Sequence, residues 1–150
     1  LRSSRRYGLI VFSLPYPYSL NVASMFSRES FARLKGRLAP GGILAVFLGA
    51  PRSRRDRLDP FACSILRGLR EVFPHTLAIS SQEMYNTVVL CRADQPIDKD
   101  RVVSRCMADG YRHFHLLTPD QQDQLVAGTP ALSLGDLSPC GRLNLSLWND

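Results

Sequence analysis

The stretch SRESFARLKGRLAPGGILAVFLGA, Ser27 to Ala50, changes its hydrophobic period partway through. In its first half Phe31, Leu34 and Leu38 recur on one helical face, Arg33, Lys35 and Arg37 lie away from it, and Ser27 is suited to cap the helix. Pro40, Gly41 and Gly42 are expected to stop that helix and turn the chain. The run ILAVFLGA, residues 43–50, is then continuously apolar, the pattern of a strand covered on both faces. Upstream, GLIVFSL at residues 8–14 reads the same way. A helix between two such strands is the grammar of a parallel βαβ unit.

Downstream, PRSRRDRLD is a polar, basic loop, and Asp59 followed by Pro60 makes a cap and first-turn pair for a helix. Ala62, Ile65, Leu66, Leu69, Val72 and Phe73 supply its buried stripe, and Pro74 ends it. Two strands follow at His75–Ser80 and Tyr85–Cys91, separated by SQEM. So short a connection favours an antiparallel hairpin, because a parallel crossover needs about a dozen residues. Residues 98–108 suit a helix with Val102, Val103 and Cys106 inward. The segment TPDQQDQL carries Thr118 as cap, Pro119 at the first helical position and Gln121 placed for a reciprocal capping box. Residues 127–150 show no clear period.

The chain has 150 residues and an apolar fraction of 45%, enough for one domain with its own core. It opens on Leu1 and reaches an apolar strand within seven residues, so it is read as a fragment, with neither a signal peptide nor an apolar run long enough to span a membrane. Cys63, Cys91, Cys106 and Cys140 form no CxxC pair. With His75, His113 and His115 scattered, reduced core thiols are favoured over a disulfide framework or a metal module. Residues 1–57 hold 11 Lys or Arg against Glu29 and Asp56, for +9, whereas residues 58–150 hold 8 against 11 acids, for −3. The basic half has no aromatic interleaving or groove-reading motif, so nucleic acid is not the expected partner.

The succession YGLIVFSLPYPYSL, FSRESFARLKGRLAPGGILAVFLGAP and ILRGLREVFPHT, followed by two closing strands, resembles the C-terminal half of a Rossmann-type S-adenosylmethionine-dependent transferase. Within that class it is most similar to the spermidine synthase-like (polyamine aminopropyltransferase) family, over about residues 7–93. The resemblance implies an α/β fold: a partial Rossmann-like, three-layer α/β/α domain with a mostly parallel sheet and an antiparallel edge hairpin. Residues 1–93 would form the C-terminal part of the transferase domain and 94–150 its helical and irregular extension.

The family's active segment runs Tyr-Asp, a few apolar residues, then Asp-x-x-Asp-Pro. Laid on this chain, its Tyr-Asp falls on Tyr7 and Gly8, its next Asp on Ser13, its catalytic Asp on Tyr16 and its Pro on Pro17. In the family the acid matching Tyr16 is taken to help deprotonate the attacking amine, whereas a phenol with the ordinary pKa of about 10 stays protonated at neutral pH. The resemblance therefore assigns Tyr16 to the catalytic position and Ser13, Leu14, Pro15 and Pro17 to the cofactor, S-adenosylmethionine or its decarboxylated form, with no metal. Tyr18, Tyr85 and Asn86 are assigned to an amine substrate. Gly49, Ala50 and Pro51 would shape the same crevice, with Arg52, Arg54, Arg55 and Arg57 on its rim.

The family's glycine-rich loop and following acid are not found in this chain and would lie upstream. Completion by an upstream segment or by a homo-oligomer is expected, as is a cytoplasmic location. With these acids and this loop missing, the alternative is a catalytically silent Rossmann-like domain acting in protein-protein association.

Overall fold

The computed structural model describes residues 5–14, 20–49, 60–81 and 86–137. Their elements run β1 (Tyr7–Phe12), α1 (Leu20–Met25), α2 (Arg28–Lys35), β2 (Leu38–Gly49), α3 (Pro60–Val72), β3 (His75–Ser81), β4 (Asn86–Arg92), α4 (Lys99–Ala108), β5 (Phe114–Leu117) and α5 (Pro119–Val126). The five strands form one sheet in the order β1-β2-β4-β3-β5.

The α/β class and the βαβ opening agree with the sequence. Phe31 and Leu34 are the buried residues of α2, and the Ser27 hydroxyl accepts from the Ser30 N–H at 3.3 Å. β1 and β2 pair in parallel. The largely parallel sheet is corrected: β2–β4, β3–β4 and β3–β5 are all antiparallel, which leaves one parallel pairing. The physical reason is where the hairpin sits. The crossover from β2 through α3 lands β3 two places away, pointing the same way as β1 and β2. The return strand β4 fills the vacancy and pairs with both neighbours, instead of decorating the edge.

A second correction concerns LAPGG. α2 ends at Lys35, with Gly36 as its C-cap, so Leu38 to Gly42 are not the helix stop. They belong to β2, where the register jumps from Tyr7 opposite Leu38 to Leu9 opposite Ile43. Two steps along β1 thus face five along β2, a bulge that Gly41 (φ 73°) makes geometrically available. Helix α1, six residues long, was not anticipated from the sequence.

Helices α2, α3 and α5 pack side by side over one face of the sheet. The core between them holds Phe31, Leu44, Val46, Phe61, Leu66, Leu69, Phe73, Val89 and Cys91, and takes in Val126 and Leu132 from the C-terminal part. α3 is buried more widely than its predicted stripe, with Phe61, Cys63 and Ser64 also inside. α5 carries the anticipated capping box, and its Gln122 is 2% exposed, donating to the Leu117 carbonyl at 3.0 Å and accepting from the Thr76 hydroxyl at 3.2 Å. The opposite face is less covered: Tyr7, Leu9 and Val11 of β1 are exposed, and α4 buries none of its residues, Val102, Val103 and Cys106 being only half-buried.

The bulge is tied down from the far end of β4. The Gly41 N–H donates to the Asp94 carboxylate, and Arg92 lies 3.6 Å from the same side chain. The Gly41 bond, chiefly, holds the Asp94 carboxyl below its ordinary range, with its own amide, Arg92 and the Gln95 amide adding to it against a smaller desolvation. For a carboxyl lowered in the folded state, the stabilisation is present above the unfolded value of about 3.9 and is lost as pH falls through the folded value beneath it. Asp94→Asn is expected to flatten the fall in urea midpoint between about pH 4 and pH 2. Part of the slope should survive, because burial of Glu29 is outweighed by N–H donation from its own residue and Leu134 and by Arg28, which lowers that carboxyl too. An Asn variant with the full wild-type slope would dismiss Asp94 as the acid-sensitive clasp.

Candidate functional site

Because β1, β2 and β3 share a direction, their carboxyl ends open at one end of the sheet, beside the amino ends of β4 and β5. β1 stops with Phe12 opposite Val46, and Ser13 and Leu14 continue from it, Ser13 exposed and Leu14 half-buried against the core. β2 stops with Gly49 opposite Asn86. The register therefore brings three of the sequence-assigned positions, Ser13, Leu14 and Asn86, to the same end as Gly49. Pro15, Tyr16, Pro17, Tyr18 and Tyr85 lie outside the described residues, as do Ala50, Pro51 and Arg52, Arg54, Arg55 and Arg57.

An aromatic cluster supports the strand end from below. The Phe12 ring meets Phe26 edge-on at 5.3 Å and Phe31 at 6.2 Å, and Phe26 meets Phe61 at 5.8 Å. Such edge-to-face contacts add about 0.5–1.5 kcal/mol each beyond burial and fix ring orientation. Ser13 and Leu14 thus leave a rigid platform.

Sequence reasoning missed a cross-strand row at this end of the sheet that holds a buried hydroxyl pair. Leu48, Thr87, Ser80 and His115 stand opposite one another across β2, β4, β3 and β5. Thr87, 1% exposed, donates its hydroxyl to that of Ser80 at 3.4 Å. The available signal was a hydroxyl residue on each side of the SQEM turn, in register once the hairpin closes. Among the described residues at these strand ends none is a carboxylate, and Asp109, which precedes β5, is engaged by Arg105 at 3.1 Å.

Other candidate groups are accounted for elsewhere. Burial pushes the Cys91 thiol well above its ordinary range, so it is not poised as a thiolate, and Cys63 is buried within α3. His113 and His115 are exposed at β5. Among the described residues, no group of three or more His, Cys, Asp or Glu could hold a metal ion, and no helix is long and apolar enough to cross a membrane.

No protein-family model matches the chain, and no curated protein matches it. Among solved structures, its fold is similar to that of a probable spermidine synthase from Corynebacterium glutamicum, with a TM-score of 0.65 and 20% sequence identity. The match covers 89% of this chain and 50% of that one, so the chain spans half the length of the protein it resembles and has a spermidine synthase-like fold over that half.

Proposed function

We propose that this chain is the C-terminal half of a transferase unit of the aminopropyltransferase type, and that the carboxyl ends of β1 and β2 form one wall of a site for S-adenosylmethionine or its decarboxylated form. The observation that supports this is the fold likeness to a probable spermidine synthase. It is joined by the placement of Ser13, Leu14, Gly49 and Asn86 at one end of the sheet, where open α/β sheets bind ligands.

The residue types fit one part of such a ligand better than another. Leu14, half-buried, offers an apolar wall that keeps water from a nucleoside or thioether. The exposed Ser13 hydroxyl can donate or accept a hydrogen bond, and an asparagine such as Asn86 can do both at once. A polycationic acceptor is held by carboxylates, and the described strand ends provide none. In the alignment with the family its acids are replaced by Gly8, Ser13 and Tyr16, so this half favours holding the cofactor over activating an amine. When bound, a sulfonium of this kind supplies an electrophilic carbon. The contribution that these residues make is positioning of the electrophilic carbon against its acceptor.

Titration calorimetry of the folded chain with each form of the cofactor tests this. Saturable binding with a Kd at or below about 100 μM is expected, weakened at least about tenfold by Tyr16→Ala or Leu14→Lys. Absence of heat from a chain with intact near-UV circular dichroism would end the cofactor reading. The second reading, a catalytically silent domain acting in protein-protein association, is favoured by one feature: Leu9 and Val11, on a sheet edge, are 59% and 66% exposed.

A further inference from the structure

After α5 the chain reaches back to α2 and α3, and it is anchored there by one side chain. Leu132 is 0% exposed and belongs to the core, whereas Gly128, Pro130, Leu134 and Gly135 around it are exposed. Next to the anchor, Ala131 faces Gly68 of α3: a Cβ on Gly68 would stand 3.9 Å from that of Ala131 and 3.7 Å from the Phe31 ring. Gly68 is therefore a notch that Phe31 and this segment share.

Two hydrogen bonds join the segment to the first turn of α2. The Arg28 N–H donates to the Leu132 carbonyl at 2.9 Å, and the Leu134 N–H donates to the Glu29 carboxylate at 3.0 Å. The first N–H groups of a helix have no partner inside it. Ser27 serves that of Ser30, so Leu132 supplies a second cap from far along the chain.

We propose that residues 129–136 are a latch that opens as a unit about Gly128 while the rest of the domain stays folded, and that its closure holds the floor of the candidate site in place through Phe31 and Phe12.

The segment is built to move as one piece. Ser133 and Asp136 exchange backbone N–H bonds at 3.3 and 3.1 Å, and the Asp136 N–H also reaches the Ser133 hydroxyl at 3.0 Å, so its own turn survives departure from α2. Gly128 has φ 70°, in the left-handed region that glycine enters without strain, and an added Cβ there would meet nothing within 4 Å. It is an unobstructed hinge. Regions with few buried apolar contacts open at lower free energy than the core, and here one leucine holds against a span of exposed backbone.

Opening reaches the candidate site by contact. Withdrawal of Leu132 and Ala131 exposes the Arg28 N–H and empties one side of the Gly68 notch, which leaves the Phe31 ring room to shift. That ring meets Phe12 edge-on at 6.2 Å, one residue before Ser13. The inference concerns the platform itself and does not depend on cofactor binding.

Native-state hydrogen exchange of the intact chain, followed by NMR at low urea, tests both halves of the proposal. The Arg28 and Leu134 amides should share one protection factor, at least tenfold below those of Leu69 and Val89. Gly128→Ala, which touches neither bond, strains the closed latch alone. It should speed Arg28 and Leu134 alike by about fivefold or more and quicken Phe12 with them, leaving Leu69 and Val89 unchanged. Leu132→Ala should do the same more strongly. The latch is overturned if Arg28 and Leu134 exchange only with global unfolding, or if Gly128→Ala speeds one of them and not the other. Its link to the site is overturned if Phe12 stays as slow as Val89 in Gly128→Ala, a variant that leaves the core intact.

Discussion

Gly42→Val is expected to destabilise the domain by about 3 kcal/mol or more, a large share of the 5–15 kcal/mol typical of a folded domain. A Cβ at Gly42 would lie 2.8 Å from the Ala39 carbonyl oxygen, 2.8 Å from that of Tyr7 and 3.2 Å from the Ala39 nitrogen. All three are backbone atoms of paired strands and cannot swing aside as a flexible side chain would. The Tyr7 carbonyl belongs to β1 and the Ala39 carbonyl to the bulge, so relief of the clash means moving β1 or opening the bulge. Either movement would pull on the Tyr7 N–H bond to the Arg37 carbonyl, 2.8 Å, at the entry to β1. The contrast is Gly8→Ala on the neighbouring strand β1, where an added Cβ meets nothing within 4 Å and the urea midpoint should hardly move. If the two variants unfold at the same urea concentration, Gly42 is not where the strands are pinched together.

The same five residues show what was readable and what was not. Pro-Gly-Gly after a helical stripe is a stop signal in the sequence, and it is equally the composition of a β-bulge. Which applies is decided by tertiary contact: Gly36 already ends α2, and the Asp94 carboxylate, 53 residues on, receives the Gly41 N–H. The order of the sheet escaped for a similar reason. Loop length showed that the strands at 75 and 86 pair antiparallel, but it carries no information on the second neighbour of either. That β4 also pairs with β2 depends on α3 spanning two strand positions. Elements with strong local chemistry, such as the Ser27 cap and the Thr118–Gln121 capping box, were legible because the reciprocal bonds form within one turn.

The candidate site was legible in part. The carboxyl end of an apolar strand is a general place for ligands, and Ser13 and Leu14 were named on that ground and Asn86 on the family resemblance; the register sets them at one end of the sheet. The Thr87–Ser80 hydroxyl pair was not, since its members become neighbours only through hairpin register.

Phe31→Ala should cost about 3–5 kcal/mol, the range for removing a fully buried aromatic ring. The ring is 0% exposed, and its Cδ2 and Cε2 lie 3.7 Å from where a Cβ on Gly68 would stand, so α2 and α3 approach closely through this one side chain. The hole left by alanine has little chance of closing, because α2 is held at both ends. The Arg28 N–H donates to the Leu132 carbonyl at 2.9 Å, and the Lys35 ammonium to the Val72 carbonyl at 2.8 Å. The loss should also reach the candidate site, since Phe12 would lose its edge-on partner one residue before Ser13. Hydrogen exchange at Phe12 to Leu14 is therefore expected to quicken more than exchange at β5, even at urea concentrations where the variant stays folded. Phe31→Leu, which keeps most of the volume, should cost no more than about 1.5 kcal/mol. An alanine variant within 1 kcal/mol of the wild type, a margin well under the usual cost of such a deletion, would mean that the α2–α3 contact relaxes freely. The platform beneath Ser13 and Leu14 would then have to be held by Phe26 and Phe61 instead.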